Sequence, residues 1–168
     1  MSADLQCKLL SGPQAALLVP ALWEALSERR RRYMVWDAGP RHGVRALQWF
    51  VGLADHAIAG WQGDALLGLA WVQPLARGSR CGLLHMASAG SRQPVLNLGR
   101  AWLNAELPLY YDCLLAFLPV GFRHVRGIVT ALGFWPVTTL PGGACLAMRG
   151  GRIEDAMMYQ KNLVGGQA

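Results

Sequence analysis

Between residues 80 and 134 the chain gathers most of the residue types that could do chemistry. Gly90, Ser91, Arg92, Asn97, Gly99 and Arg100 follow closely on an uncharged, mostly apolar run, Cys81–Ser88. Small residues let a backbone approach a ligand closely, and the two guanidiniums add positive charge. Where a helix starts beside the end of a buried strand, unpaired N–H groups and the positive end of the helix dipole favour anions, phosphates above all. Any protein that alternates strands and helices has such a corner, so it is not diagnostic alone. Inside the apolar run stands His85, whose imidazole titrates near neutrality and suits a general base. A lone His on an apolar strand serves equally well as a core residue. Tyr110 and Tyr111 open the next apolar run, and a hydroxyl from either suits the same cleft; Tyr111 and His85 are the catalytic candidates.

The elements around these residues follow from pattern. Cys81–Ser88 has the length of one buried strand, and residues 89–94 form a polar turn. Leu96, Leu98, Trp102, Leu103 and Leu107 are close to helical spacing, predicting a helix over 95–107 that Pro108 stops. A strand over 110–118 and a helix over 122–132, closed by Gly133, complete a βαβ unit with a further helix. Upstream, residues 5–10 alternate as an edge strand. Ser11 can cap a helix whose first turn accepts Pro13. That helix runs over 15–32 and ends in four arginines, which complement the dipole at a C-terminus better than they read nucleic-acid bases. A loop over 33–40 carries Trp36, and a second helix spans 44–55. A hairpin, 57–62 with 65–72 about Gly63-Asp64, leads into Cys81–Ser88 as an antiparallel meander. Residues 135–143 form an extended connection, 144–149 and 156–163 a terminal hairpin, and 164–168 a frayed tail.

The whole chain sets bounds. Its 168 residues suit one domain with a substantial core, and 53% apolar against 15% charged residues exclude general disorder. Mean hydropathy is +0.23, which predicts a sticky surface and a possible homo-oligomer interface. No window of about 18 consecutive apolar residues predicts a membrane span, and the N-terminus lacks a secretion signal. The cysteines at 7, 81, 113 and 145 have no CxxC spacing, so they read as free thiols of a reducing cytoplasm. Scattered histidines argue against a metal, and Ala89-Gly-Ser91 lacks the Gly that a hydrolase elbow requires. A net charge of +6, carried by 14 Arg and 2 Lys, favours an anionic ligand, although a GC-rich genome produces the same bias.

Gly99-Arg-Ala-Trp-Leu-Asn-Ala-Glu-Leu107, a strand, Thr130-Ala-Leu-Gly-Phe134 and a Gly-rich hairpin together resemble the C-terminal half of the GNAT N-acetyltransferases. The element order extends that resemblance over residues 13–163. It implies an α/β fold with a mixed, mostly antiparallel sheet flanked by helices, in one domain over 1–168. Residues 13–55 would form the acceptor side, 57–107 the central meander and cofactor helix, and 108–163 a strand, helix and hairpin. It implies acetyl-CoA as co-substrate and a small-molecule or protein amine as acceptor. The backbones of Met86, Ala87 and Ser88 would follow the pantetheine arm. Asn97, Leu98 and Gly99 would take the pyrophosphate, with Arg92 or Arg100 as side-chain help. Trp36, Trp49 and Phe50 would line the acceptor side.

The chain departs from the family pattern at three places. Aligned on Gly99, the family's Arg/Gln falls on Pro94 and its first Gly on Asn97. Its Tyr acid falls on Val129, which cannot donate a proton. These departures support an alternative, a GNAT-like binding or assembly protein without catalysis, and the helix carrying Arg123, His124 and Arg126 resembles divergent phage-encoded relatives. A basic nucleic-acid-binding domain stands third.

Overall fold

The computed structural model describes residues 5–28, 31, 43–105, 107–146 and 152–163. Strand β1 (Leu5–Leu10) runs into helix α1 (Gly12–Ala16), and Ser11 caps it as its sequence suggests. The Gln14 amide donates to Ser11 Oγ (3.4 Å) and the Ser11 amide to Gln14 Oε1 (3.0 Å), a reciprocal capping box. The single helix expected over 15–32 is instead α1 followed by α2 (Val19–Ala25), broken by a turn at Leu17 and Leu18, with Pro20 in the first turn of α2. Proline suits a first turn and not a helix interior. Arg31 then returns to α2, its Nε donating to the Trp23 carbonyl at 2.7 Å and its Nη2 pairing with Glu24 at 3.5 Å. That basic side chain therefore completes a helix C-terminus.

Helix α3 (Gly43–Gly52) precedes the meander β2 (His56–Gln62), β3 (Ala65–Pro74) and β4 (Cys81–Ser88). Gly63, at φ 57°, supplies the left-handed residue of the β2–β3 turn. Helix α4 (Arg92–Ala105) and a short α5 (Leu107–Tyr110) cross to β5 (Cys113–Pro119). Helix α6 (Arg123–Ala131) ends at Gly133, φ 85°, before the hairpin β6 (Trp135–Leu146) and β7 (Arg152–Asn162). The connection expected over 135–143 is thus part of a 12-residue strand, interrupted by bulges near Pro136 and Leu140.

Among the described residues, seven strands form one sheet in the order β1-β2-β3-β4-β5-β7-β6, and of these neighbours only β4 and β5 are parallel. The fold class expected from the sequence is the one observed. One face buries Leu96, Leu98, Trp102 and Leu103 of α4 with Val129 of α6 and Leu114 of β5. The other face buries Leu22, Leu47 and Val51 of α2 and α3 against Leu69, Trp71 and Ala87. Along β4, side chains alternate between the faces: Met86 packs with the α4 side and Ala87 with the α1–α3 side. No helix among the described residues is long and apolar enough to cross a membrane.

Candidate active site

The two parallel strands soon part company. β4 and β5 pair only at Cys81↔Cys113, Gly82↔Leu114 and Leu83↔Leu115, although β4 continues to Ser88 and β5 to Pro119. On its other side β4 stays paired with β3 as far as Gly68↔Ser88. Beyond Leu83, one edge of β4 therefore has no neighbouring strand among the described residues. Five residues of open edge span about 16 Å, and an extended ligand can hydrogen-bond such an edge as a strand would.

The turn at the mouth of this cleft is held by β3. Ala89 and Gly90 donate their amides to the Leu67 carbonyl (2.8 and 3.2 Å). Ser88 Oγ donates to the same oxygen (3.1 Å) and accepts from the Gly90 amide (3.1 Å). Helix α4 begins directly afterwards: the Val95 amide reaches the Ser91 carbonyl at 3.4 Å, so Ser91 is at the N-cap position. Among the described residues, the amides of Ser91, Arg92 and Gln93 meet no acceptor of the protein, and Pro94 has none to offer. Three donors and a helix dipole thus face the mouth. Arg92 extends to α6, where its Nη2 is 3.4 Å from the Gly127 carbonyl. The contact between α4 and α6 that brings Arg92 to Gly127 joins residues 35 apart and is not legible in the sequence.

Gly99 requires a correction. The helix starts at Arg92, three residues before the predicted start, because a first turn tolerates Pro94. Gly99 consequently sits about 10 Å along the helix axis from Arg92. Its Cα hydrogens face Leu132, whose methyls would come within 2.9 Å of an added Cβ. Leu98 fills the space above Gly60 of β2 in the same way. Both are packing residues. Asn97 is exposed and accepts a hydrogen bond from Gln93 (3.0 Å), and Arg100 is exposed farther along the helix. Of the expected phosphate set, only Arg92 stands at the helix N-terminus, and Met86, Ala87 and Ser88 lie on the open edge.

His85 occupies the middle of that edge on the α1–α3 face. Its ring stacks on Trp71 at 5.4 Å and meets Phe50 edge-on at 4.7 Å. Burial between these rings lowers its pKa to about 4, so the imidazole is neutral at pH 7. Its Nε2 and the Trp71 Nε1 are buried without a partner among the described residues. A buried polar atom left unpaired costs about 1–3 kcal/mol, so these two nitrogens are set to meet a polar group. Phe50 stands over His85, while Trp49 on the same helix is 67% exposed. Trp36 lies outside the described residues.

Tyr111 is not beside His85. It precedes β5 at the closed end, only 2% exposed, with its ring against Gly82. Burial, then the charge of Asp55, pushes its hydroxyl up to about 12. Tyr110 ends α5 and stacks on His56 at 3.8 Å. The two line a separate open cavity of about 280 Å³ with Leu10, Ser11, Asp55 and Trp102. The structure therefore brings His85 and Phe50 together on the α1–α3 face and leaves both tyrosines on the α4 face, with Tyr111 at the closed end. Val129, at the place of the family's acid, is 8% exposed and packed in the core.

No known family profile matches the chain, and no curated protein does. Solved structures do. An N-acetyltransferase from Staphylococcus aureus Mu50 is similar at a TM-score of 0.72 and 12% identity, over 97% of this chain and 100% of that one. A putative acetyltransferase from Salmonella typhimurium, determined with acetyl-CoA, is similar at 0.64 and 14% identity, over 98% and 96%. A mutant spermidine N-acetyltransferase from Vibrio cholerae is similar at 0.69 and 13% identity, over 95% and 94%. The chain has the GNAT acyl-CoA N-acyltransferase fold.

Proposed function

We propose that the protein is an acyl-CoA-dependent N-acyltransferase that acetylates an amine. The observation that carries this reading is the parting of β4 from β5 after Leu83, with the amides of Ser91, Arg92 and Gln93, which meet no acceptor among the described residues, at its mouth. A CoA ester fits this cleft chemically: its diphosphate meets those amides and Arg92, and its amide-containing arm pairs with the Leu84–Ser88 edge. The structural neighbour that holds acetyl-CoA supports the same ligand.

The reaction would form a bond from the acceptor nitrogen to the thioester carbon and break the carbon–sulfur bond. The ammonium of the tetrahedral adduct gives up a proton, and the thiolate takes one. Neutral His85, whose buried Nε2 meets no partner among the described residues, is the candidate to receive that proton. A pKa near 4 makes it a weak base, suited to the acidic ammonium of an adduct and not to a free alkylammonium. Phe50, over His85, would line the acceptor side.

A second reading, an acyl-CoA-binding protein without turnover, is favoured by Val129 where the family carries a tyrosine acid. One experiment addresses both. Calorimetric titration with acetyl-CoA, followed by a thiol-release assay against a panel of polyamines and peptide N-termini, should show saturable binding and CoA release. Binding without release would select the second reading. No binding at ligand on the order of 1 mM, weaker than about −4 kcal/mol, would remove both.

A further inference from the structure

Two cysteines that the sequence separates by 31 residues are register partners in the sheet. Cys81 of β4 and Cys113 of β5 face each other at the closed end of the cleft, and both are reduced and half-buried. Partners on adjacent strands share a face, and neighbouring strands run about 4.8 Å apart. That spacing falls within the Cα separation of about 4.4–6.8 Å that a disulfide accepts. The Cys113 Sγ is 3.9 Å from the Leu114 carbonyl, and Cys81 lies close enough to raise the Cys113 pKa. Immediately before them in the chain, Arg80 donates two bonds to Asp112 Oδ1, at 2.9 and 2.7 Å, and the Asp112 amide donates to the Arg80 carbonyl at 2.8 Å. The backbone is therefore held in register at the place where a cross-link would form.

We propose that Cys81 and Cys113 are a redox-active pair that forms a reversible disulfide, tying β4 to β5 at the apex of the cleft. The oxidant is a low-molecular-weight disulfide. The Cys81 thiolate attacks one of its sulfurs, forming a mixed disulfide and releasing one small thiolate. Cys113 then loses its proton to solvent and attacks the Cys81 sulfur, expelling the second small thiolate. Two protein thiols are oxidised and one small disulfide is reduced to two thiols. Burial first, then the neighbouring Cys81 thiol, pushes the Cys113 thiol up to about 11. The second step is accordingly the slow one at neutral pH and accelerates as pH rises.

The test uses the full chain, reduced and then incubated with oxidised glutathione, quenched by alkylation, digested and analysed by mass spectrometry. A peptide pair joined through Cys81 and Cys113, lost on adding dithiothreitol, is expected. So is a rise in Tm of roughly 5–10 °C for the oxidised form, from the closed loop. The Cys113→Ser variant should instead accumulate the Cys81–glutathione adduct. A Cys7→Ser/Cys145→Ser variant should cross-link like the parent chain. Recovery of Cys81 and Cys113 only as separately alkylated or glutathionylated residues would overturn the proposal, and so would their linkage to Cys7. None of these readouts depends on whether an acyl-CoA binds.

Discussion

His85 and Trp71 are register partners on β4 and β3, and their rings stack at 5.4 Å with an interplanar angle of 19°. With Phe50 closing the edge at 4.7 Å, the imidazole is shielded from water and held neutral. Its pKa falls from 6.5 in the unfolded chain to about 4 in the folded one. The unfolded state thus binds the proton more readily. The stability this neutral ring permits is intact above pH 6.5 and is lost as pH falls from there toward about 4. The loss approaches about 3 kcal/mol. Urea unfolding followed across that window should show the decline, and His85→Phe should flatten it.

Arg92→Glu reverses the one arginine of the expected phosphate set that stands at the α4 N-terminus. Its side chain is exposed and bonds only the Gly127 carbonyl among the described residues, at 3.4 Å. Stability should change by no more than about 0.5 kcal/mol. The dissociation constant for acetyl-CoA should rise at least about tenfold, and less at high salt. Calorimetry at two salt concentrations checks both.

Ser88→Ala removes the hydroxyl that joins the Leu67 carbonyl to the Gly90 amide at the cleft mouth. The expected cost is about 1–2 kcal/mol in stability, measured by urea unfolding. Acetyl-CoA affinity should fall too, because the turn that aims the α4 amides loses a support.

Gly12→Ala tests how α1 is seated on α3. An added Cβ would run into the Ala54 carbonyl oxygen and approach the Gly52 oxygen and Ala54 amide at 2.9 Å each. All three are backbone atoms and cannot rotate away. A loss of about 2–3 kcal/mol is expected, read as a lower Tm.

Much of the scaffold was legible because its signals are local. Cys81–Ser88 has the boundaries its apolar run suggests, the hairpin turns at Gly63, and Ser11 caps the first helix. What escaped depends on contacts distant in sequence. Leu98 and Gly99 look like a permissive turn until Gly60 and Leu132 are seen against them. The start of α4 was displaced because Pro94 reads as a breaker when it is a first-turn residue. Tyr111 looks like the start of a strand, yet α5 carries it into the core at the closed end. Most plainly, no spacing rule announces Cys81 beside Cys113, which only the parallel crossover creates.

We propose that an acyl-CoA lies in the opening between β4 and β5 with its diphosphate on the first turn of α4. Amide chemical-shift mapping during an acetyl-CoA titration tests it most directly. The expected result is saturable shifts concentrated at Leu84–Ser88 and Ser91–Gln93, with Gly99 and Tyr111 little changed. Shifts confined to the cavity around His56 and Tyr110, or none at saturating ligand, would contradict it.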